Sequence, residues 1–344
     1  MDWIQTYLKR ITYQNSKEFL ASLNKAECFI ITDDNLKNLY QKEVFSDINY
    51  VSIEAGEQAK TLTQVEIILE RLLALNHSKN VIILGFGGGV VCDIAGFVSA
   101  IYKRGCNLAL MPTSLIAMVD AAIGGKNGVN SHNFKNQFGT IKQADYINLD
   151  FDLLNTLVLS EIANGIAEMI KHGLIYSPEY YHKIINYDLT RDKLKTQITD
   201  YIKESINIKL SFVNGDERDG ARRRILNFGH TLGHTIEILH NVPHGKAVLW
   251  GMLQALKLSY KLNMLSTEIF KEIYDDLTRF NIVNSSIIKW QEIATALLSD
   301  KKKEGDNITM ILLEGIGKPV VKDVELDIIK EVVTQDVESL LRKS

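Results

Sequence analysis

The residues with the most evident chemistry lie in 222–248, RRRILNFGHTLGHTIEILHNVPHGKAV. His230 and His234 are four apart among apolar residues (Ile225, Leu226, Phe228, Leu232, Ile236, Leu239) that recur at helical spacing, so the pattern predicts a helix carrying both imidazoles on one face. Two nitrogens so placed can bind one metal ion. His244 adds a third imidazole just past Pro243, where a helix must end and the chain turn back. The opposing reading is two ordinary helix histidines, since an H-x-x-x-H pair often occurs without any ion. The metalloprotease motif is absent, because Thr231 stands where its catalytic glutamate would be. The run alone leaves open which imidazoles bind an ion, and a remaining ligand has to come from elsewhere.

Two glycine-bearing stretches suit anions. AGEQAK (55–60) places Glu57 and Lys60 beside a glycine, directly before a helical pattern that opens with Thr63 and Glu66 in capping-box spacing. GFGGGVVCD (85–93) leaves a β-branched run and runs into a helical pattern. Its four glycines let a backbone approach a bulky anion, and the helix start behind them offers free N–H groups to a phosphate. A dinucleotide pyrophosphate is a natural guest, although Val90 occupies the last glycine position of the usual dinucleotide fingerprint and a plain glycine-rich turn is the alternative. The small-residue stretch 112–139 holds Asp120, Lys126, Lys135 and Asn136. It is no P-loop, because Asn127 follows the lysine where Ser or Thr is needed. Each lysine alone reads as a solvated loop residue; beside glycines they suit a phosphate or oxyanion.

These groups need a scaffold, and 344 residues with 46% hydrophobic content can bury a core large enough for two domains. A net charge of -3 with both signs dispersed argues against nucleic acid as the main partner. Cys28, Cys92 and Cys106 form no C-x-x-C pair, which argues against a disulfide framework and fits a reducing cytoplasm. No apolar run approaches the roughly 20 residues of a membrane span, and the start lacks a signal-peptide core. A soluble, cytoplasmic protein is expected.

CFIIT (28–32), NYVSI (49–53), VIILGF (81–86), NLALM (107–111) and YINL (146–149) read as strands alternating with helical patterns. That order predicts an α/β domain over 1–152 with a mostly parallel sheet whose ligands lie beyond the carboxyl ends of the strands. From 153 to 344 the patterns become mainly α-helical, giving a second, metal- and substrate-binding domain, with the cleft between the two as the expected site. In SEIANGIAEMIKHGLIY (160–176), Glu168 and Lys171 share a helix face; a surface ion pair is the usual meaning of that spacing. Helical pattern over 191–214 carries Lys209, residues 245–299 read as further amphipathic helices, and TMILLEGIG (309–317) as a short strand.

Taken in order, GEQAK, GGGVVCD, IYKRG, PTS, VDAAIGGKNGVN, KNQFGT, GIAEMIKHG, LNFGHTLGHTIE, HGKAV and DKK make the chain resemble the 3-dehydroquinate synthase family over nearly its whole length. The resemblance implies a Rossmann-like first domain, NAD, and a divalent ion, zinc or cobalt, on Glu168, His230 and His244, with His234 facing the substrate instead of the metal. It implies NAD on Glu57, Gln58, Lys60, Gly89, Val90, Val91 and Asp93. Thr113, Ser114, Lys126 and Lys135 would complete that site, with Leu153 and Thr156 closing over it. Lys126, Asn136 and Lys302 of the DKK turn would hold the substrate phosphate, joined by Arg104 from a second subunit, so a homodimer is implied. Lys209, Arg223 and Asn227 would take the carboxylate end and hydroxyls, and Asp120 and Lys171 would complete the pocket. The implied substrate is 3-deoxy-arabino-heptulosonate 7-phosphate, oxidised at C5, relieved of phosphate, reduced again and closed by an intramolecular aldol step.

The chain departs from the family pattern at several points. Lys246 follows His244-Gly245 where such enzymes read glutamate; pointing to solvent it is neutral, facing the ion it removes a carboxylate behind the ligand. LVLSE (157–161), Ala144 and Cys92 also differ from the usual pattern, and none removes a proposed ligand. Two rival readings are a related cyclase acting on another sugar phosphate, which has no carboxylate for Arg223, Leu226, Asn227 and His234 to meet, and a metal-dependent polyol dehydrogenase that releases its reduced cofactor. A non-enzymatic binding protein would leave the clustered motifs unexplained.

Overall fold

β-branched runs buried on both faces favour parallel strands, and the computed structural model of the chain builds them that way. It describes residues 3–131, 134–187, 191–218, 220–280, 289–299, 303–304, 307–335 and 337. The chain divides into two compact units, Met1–Ile162 with Thr190–Arg218, and Ala163–Leu189 with Asp219–Ser344. The division falls past the expected boundary at 152, and α8 (Arg191–Val213) belongs to the first unit, although its sequence pattern resembles that of the helical half. Within that unit α8 packs against the helix Trp3–Leu8 and the turns at Ala117–Ala121 and Phe151–Thr156, and Lys209 Nζ donates to the Asp120 carbonyl at 2.6 Å.

In the first unit, β1 (Ile11–Thr12), β2 (Cys28–Asp33), β3 (Asn49–Ile53), β4 (Ile82–Gly87), β5 (Asn107–Pro112) and β8 (Tyr146–Asn148) form a sheet in the order β1-β8-β5-β4-β2-β3. All its described pairs are parallel. Phe29, Ile30 and Ile31 are fully buried, as a strand covered on both faces requires. Helices α1 (Trp3–Leu8), α2 (Ser16–Ser22), α3 (Asp34–Val44), α4 (Leu62–Ala74) and α5 (Gly89–Ile101) alternate with the strands. The strand order changes direction beside β2: the chain leaves it outward to β3, then returns to its other side as β4 and proceeds to β5. The glycine-rich turn after β4 thus sits at the carboxyl end of a strand at the switch point, where α/β sheets place ligands.

Two local expectations change here. The cap of α4 is Thr61, not Thr63: Thr61 is extended and its hydroxyl accepts from Gln64 N–H at 3.1 Å. The small-residue stretch 112–139 is largely structured. It contains a π-helical turn at Ala117–Ala121 and a separate antiparallel hairpin of β6 (Lys126–Ser131) and β7 (Phe134–Ile141). Its glycines fit the hairpin because the strands approach closely; a Cβ at Gly139 would lie 3.0 Å from the Asn127 carbonyl.

The second unit holds the greater part of α6 (Leu159–Tyr176), with α7 (Pro178–Ile185), α9 (His230–His240), α10 (His244–Lys261), α11 (Thr267–Thr278), α12 (Trp290–Ser299) and α13 (Leu326–Thr334). A small antiparallel sheet of β9 (Lys303–Glu304), β10 (Asn307–Leu313) and β11 (Pro319–Glu325) completes its described part. Among the described residues no helix is long and apolar enough to cross a membrane. The histidine helix begins later than its periodicity suggests. Arg222–Asn227 forms a 3-10 turn and Gly229 takes φ 78, so Ile225, Leu226 and Phe228 precede α9 instead of lying on it. Helix α10 is buried nearly all round and is not amphipathic.

Helices α9 and α10 meet backbone to backbone. A Cβ at Gly251 would lie 1.8 Å from the Gly229 carbonyl oxygen, and Gly229 itself needs the left-handed region. This contact sets how closely the start of α9 approaches the middle of α10. Gly251→Ala should therefore destabilise the protein by about 1–3 kcal/mol or more through overpacking. Denaturant unfolding monitored by helical circular dichroism checks this, and a wild-type midpoint would contradict the packing described.

Candidate metal and cofactor sites

The second unit brings three distant residues together. Glu168 lies on α6 and is fully buried; His230 opens α9 and His244 opens α10. Glu168 Oε1 is 3.4 Å from His230 Nε2 and 3.3 Å from His244 Nε2. The approach of α10 to α6 is tight as well, for Gly245 N–H donates to Asn164 Oδ1 at 3.0 Å. The other ring nitrogens have partners of their own. His230 Nδ1 meets the Phe228 carbonyl at 3.1 Å and His244 Nδ1 meets Glu237 Oε2 at 3.2 Å. Both partners are acceptors, so each Nδ1 can keep the ring hydrogen when an ion takes the Nε2 lone pair.

Three lone-pair atoms converging within 4.8 Å of one another call for a cation. The residues therefore fit a divalent ion with positions left for other oxygens. Electrostatics prepares the set. Burial alone would raise Glu168, but the Lys171 ammonium and then His230 and His244 outweigh it and hold the carboxyl well below the usual range. Burial and the Lys171 charge push His230 down against the pull of Glu168, favouring the neutral ring a metal requires. At His244 burial lowers the value, yet hydrogen bonds to Glu168 and Glu237 push it up to about 10, so a proton fills the place when no ion does.

The pair of Glu168 and Lys171 is not the surface ion pair its spacing suggests; Lys171 Nζ contacts Glu168 Oε2 with both side chains buried. His234 stands close by, its ring centroid 4.9 Å from that of His230 and 6.0 Å from that of His244. A second possible ligand group, His234, Glu237 and His244, overlaps the first. Spacing of histidines alone favours neither group. Arg223 is buried and Asn227 partly so, both on the 3-10 turn before α9. Lys246 is exposed, the harmless alternative for that departure. Glu237 was missed by the sequence reading; its signal was its position three residues beyond His234 on the same helix face.

The first unit holds a polar network around the glycine turn. Glu57, Gln58 and Ala59 form one 3-10 turn, and Lys60 after it is buried, its Nζ contacting Asp93 Oδ2 on α5 and donating to Asn136 Oδ1 at 2.7 Å. Burial raises Asp93 despite the Lys60 charge beside it. Asn130, also unforeseen, donates to Glu57 Oε1 at 2.8 Å and accepts from Asn136 N–H at 2.9 Å. Glu57, Lys60, Asp93 and Asn136 are thereby brought together.

Gly89, Val90 and Val91 form the first turn of α5, which no side chain caps. A Cβ at Gly87 would strike Val91 at 2.5 Å, so packing explains that glycine. At Gly88 and Gly89 a Cβ would meet only Ser114 Oγ at 3.5 Å and Ala121 at 3.4 Å. Neither packing nor a positive φ demands glycine there; a bare helix start open to a phosphate does, and the residues fit a dinucleotide. Thr113 and Ser114 are buried beside this turn, Thr113 N–H donating to the Gly87 carbonyl at 3.0 Å.

Other expected residues lie differently. Leu153 has its side chain in the core cluster with Phe86 and Met111, so only its backbone is available to a cofactor, while Thr156 is exposed and hydrogen-bonded to Tyr40 at 3.0 Å. Lys126 is exposed at the start of β6 and Lys135 is half-buried on β7. Lys209 Nζ also meets Asp120 Oδ1 at 2.5 Å. Arg104 is exposed with φ 65. Lys302 and its neighbours Asp300 and Lys301 lie outside the described residues.

Known proteins resemble both parts. Residues 50–164 match the family described as 3-dehydroquinate synthase N-terminal, and residues 165–303 the one described as 3-dehydroquinate synthase C-terminal. The 3-dehydroquinate synthase of Thermoanaerobacter pseudethanolicus is 35% identical, with 97% of this chain and 100% of that one covered. Among solved structures, 2-deoxy-scyllo-inosose synthase complexed with carbaglucose-6-phosphate, NAD+ and Co2+ has a TM-score of 0.80 at 24% identity, covering 94% of this chain and 95% of the other. The 2-epi-5-epi-valiolone synthase from Streptomyces hygroscopicus, with NAD+ and Zn2+ bound, has a TM-score of 0.80 at 23% identity and 97% coverage of both chains. These structural likenesses show the fold.

Zinc titration separates the two overlapping ligand groups. His230→Ala should lose most of the zinc affinity and His234→Ala should keep it, read by metal content after dialysis. The reverse order would place the ion on the other group.

Proposed function

The chain belongs to the 3-dehydroquinate synthase family, and from that premise we propose that it converts 3-deoxy-D-arabino-heptulosonate 7-phosphate to 3-dehydroquinate and phosphate with no net redox change. The observation that carries the reading is the meeting of the Glu168 carboxylate with the Nε2 atoms of His230 and His244. NAD and a divalent ion, zinc or cobalt, are its cofactors; bound, they supply reversible hydride removal and polarisation of adjacent hydroxyls.

The chain's own groups divide the remaining work. Glu168, His230 and His244 hold the ion, while Lys171 keeps the buried Glu168 ionised. His234 stands beside the ligands as a group for the substrate. Arg223 and Asn227 suit the carboxylate end and hydroxyls, and Lys209, held by Asp120, adds a fixed positive charge. Glu57, Gln58, Lys60, Gly89 to Val91, Asp93, Thr113 and Ser114 bind the dinucleotide, with Lys126 and Lys135 of the hairpin and the segment of Leu153 and Thr156. Asn136 and Lys126 take the phosphate, with Lys302 and with Arg104 of a second copy in a homodimer. Lys103 and Arg104 have φ 46 and 65, a conformation that costs non-glycine residues about 1–3 kcal/mol each and is kept where it serves a site. The overall step is a phosphate-eliminating carbon–oxygen cleavage followed by carbocycle closure.

Purified protein given the heptulosonate phosphate, catalytic NAD and zinc should release phosphate without accumulating NADH. Net NADH would indicate a polyol dehydrogenase, and activity on another sugar phosphate alone a related cyclase. Lys209→Met should lower turnover by about 10²-fold or more, as expected when a charged group fixing the substrate is lost; wild-type kcat/KM would contradict its role.

A further inference from the structure

Position 246, where a carboxylate was expected behind the third ligand, carries an exposed lysine, yet His244 is not without a carboxylate partner. Glu237 reaches it from α9. Its Oε2 lies 3.2 Å from His244 Nδ1, within hydrogen-bond reach, and the Glu237 side chain is only 9% exposed. We propose that Glu237 is the positioning residue of the metal centre, fixing the ring orientation and tautomer of His244 so that Nε2 points at Glu168 Oε1. The proposal rests on the metal reading of Glu168, His230 and His244.

A neutral imidazole has one N–H and one lone pair, and the partner of the first nitrogen decides the task of the second. With an ion on Nε2 the ring keeps one hydrogen, on Nδ1, and the Glu237 carboxylate, which only accepts, is placed to receive it. For His230 the same service comes from the Phe228 backbone carbonyl at 3.1 Å. The two ligands are thus oriented by different means, one through the main chain and one through a side chain. Only the second can be removed by substitution. His244 also has the greater need, its side chain being 25% exposed against 10% for His230, so packing restrains it less.

The alternative role for Glu237 is that of a ligand itself, together with His234 and His244. Glutamine distinguishes the two, because its side-chain carbonyl still accepts from an Nδ1–H but makes a poor zinc ligand. Zinc affinity is to be measured by competition with a chromophoric chelator for the wild type, Glu237→Ala, Glu237→Gln and Lys246→Glu, with circular dichroism as the control of folding. Glu237→Ala should bind about 10–100-fold more weakly, Glu237→Gln should retain most of the affinity, and Lys246→Glu should match the wild type. In the cobalt-loaded wild type, proton NMR should show two shifted, slowly exchanging imidazole N–H signals, one of which exchanges rapidly in Glu237→Ala.

Unchanged affinity in Glu237→Ala would overturn the proposal while leaving the metal reading intact. Equal losses in the alanine and glutamine variants would make Glu237 a ligand and overturn it too. A single N–H signal in the cobalt-loaded wild type would do so without any variant. Absence of zinc binding by the wild type would remove the metal reading and this inference together.

Discussion

The structure depends on a concentration of lone pairs. Two imidazole nitrogens and a carboxylate oxygen face one another within 4.8 Å, in an interior where unpaired acceptors are costly. Such a set is stable only around positive charge. The Lys171 ammonium supplies part of it from behind Glu168, and a proton or a divalent ion supplies the rest at the centre. The surrounding helices can be understood as the means of holding that convergence against its own repulsion.

What holds it is largely backbone contact. Gly229 and Gly251 let α9 and α10 touch, Gly245 lets α10 meet Asn164 of α6, and all three proposed ligands stand on those helices. Placing ligands on packed helices instead of loops limits their drift, which a site needing near-fixed geometry demands. In the first unit a different device suits the proposed dinucleotide. There the parallel sheet delivers an uncapped helix start at its switch point, and the buried Lys60 ties it to the hairpin through Asp93 and Asn136.

The strands of the parallel sheet were legible because β-branched runs such as Cys28–Ile31 bury both faces, and a fully apolar run has little other use. Strand β1 was not, since two residues carry no period. The start of α9 was misplaced because Ile225, Leu226 and Phe228 continue the apolar spacing through a 3-10 turn, and only the left-handed Gly229 breaks it. Composition could not separate α8 from the helical unit, because its attachments are long-range, among them that of Lys209 to Asp120. At the metal centre, spacing offered His230 with His234, whereas the geometry adds Glu168 and His244 from other helices. Ordered motifs resembling a known family pointed to that set; periodicity alone had no means of doing so. Glu237 escaped because a glutamate on an amphipathic helix is usually a solvated one.

Anomalous diffraction at the zinc edge from crystals of the zinc-loaded protein tests the central claim most directly. The account predicts one peak bound by a Glu168 carboxylate oxygen and by Nε2 of His230 and His244, at about 2.0–2.2 Å from each. A peak held by His234 and Glu237, or no ordered ion among these side chains, would contradict it.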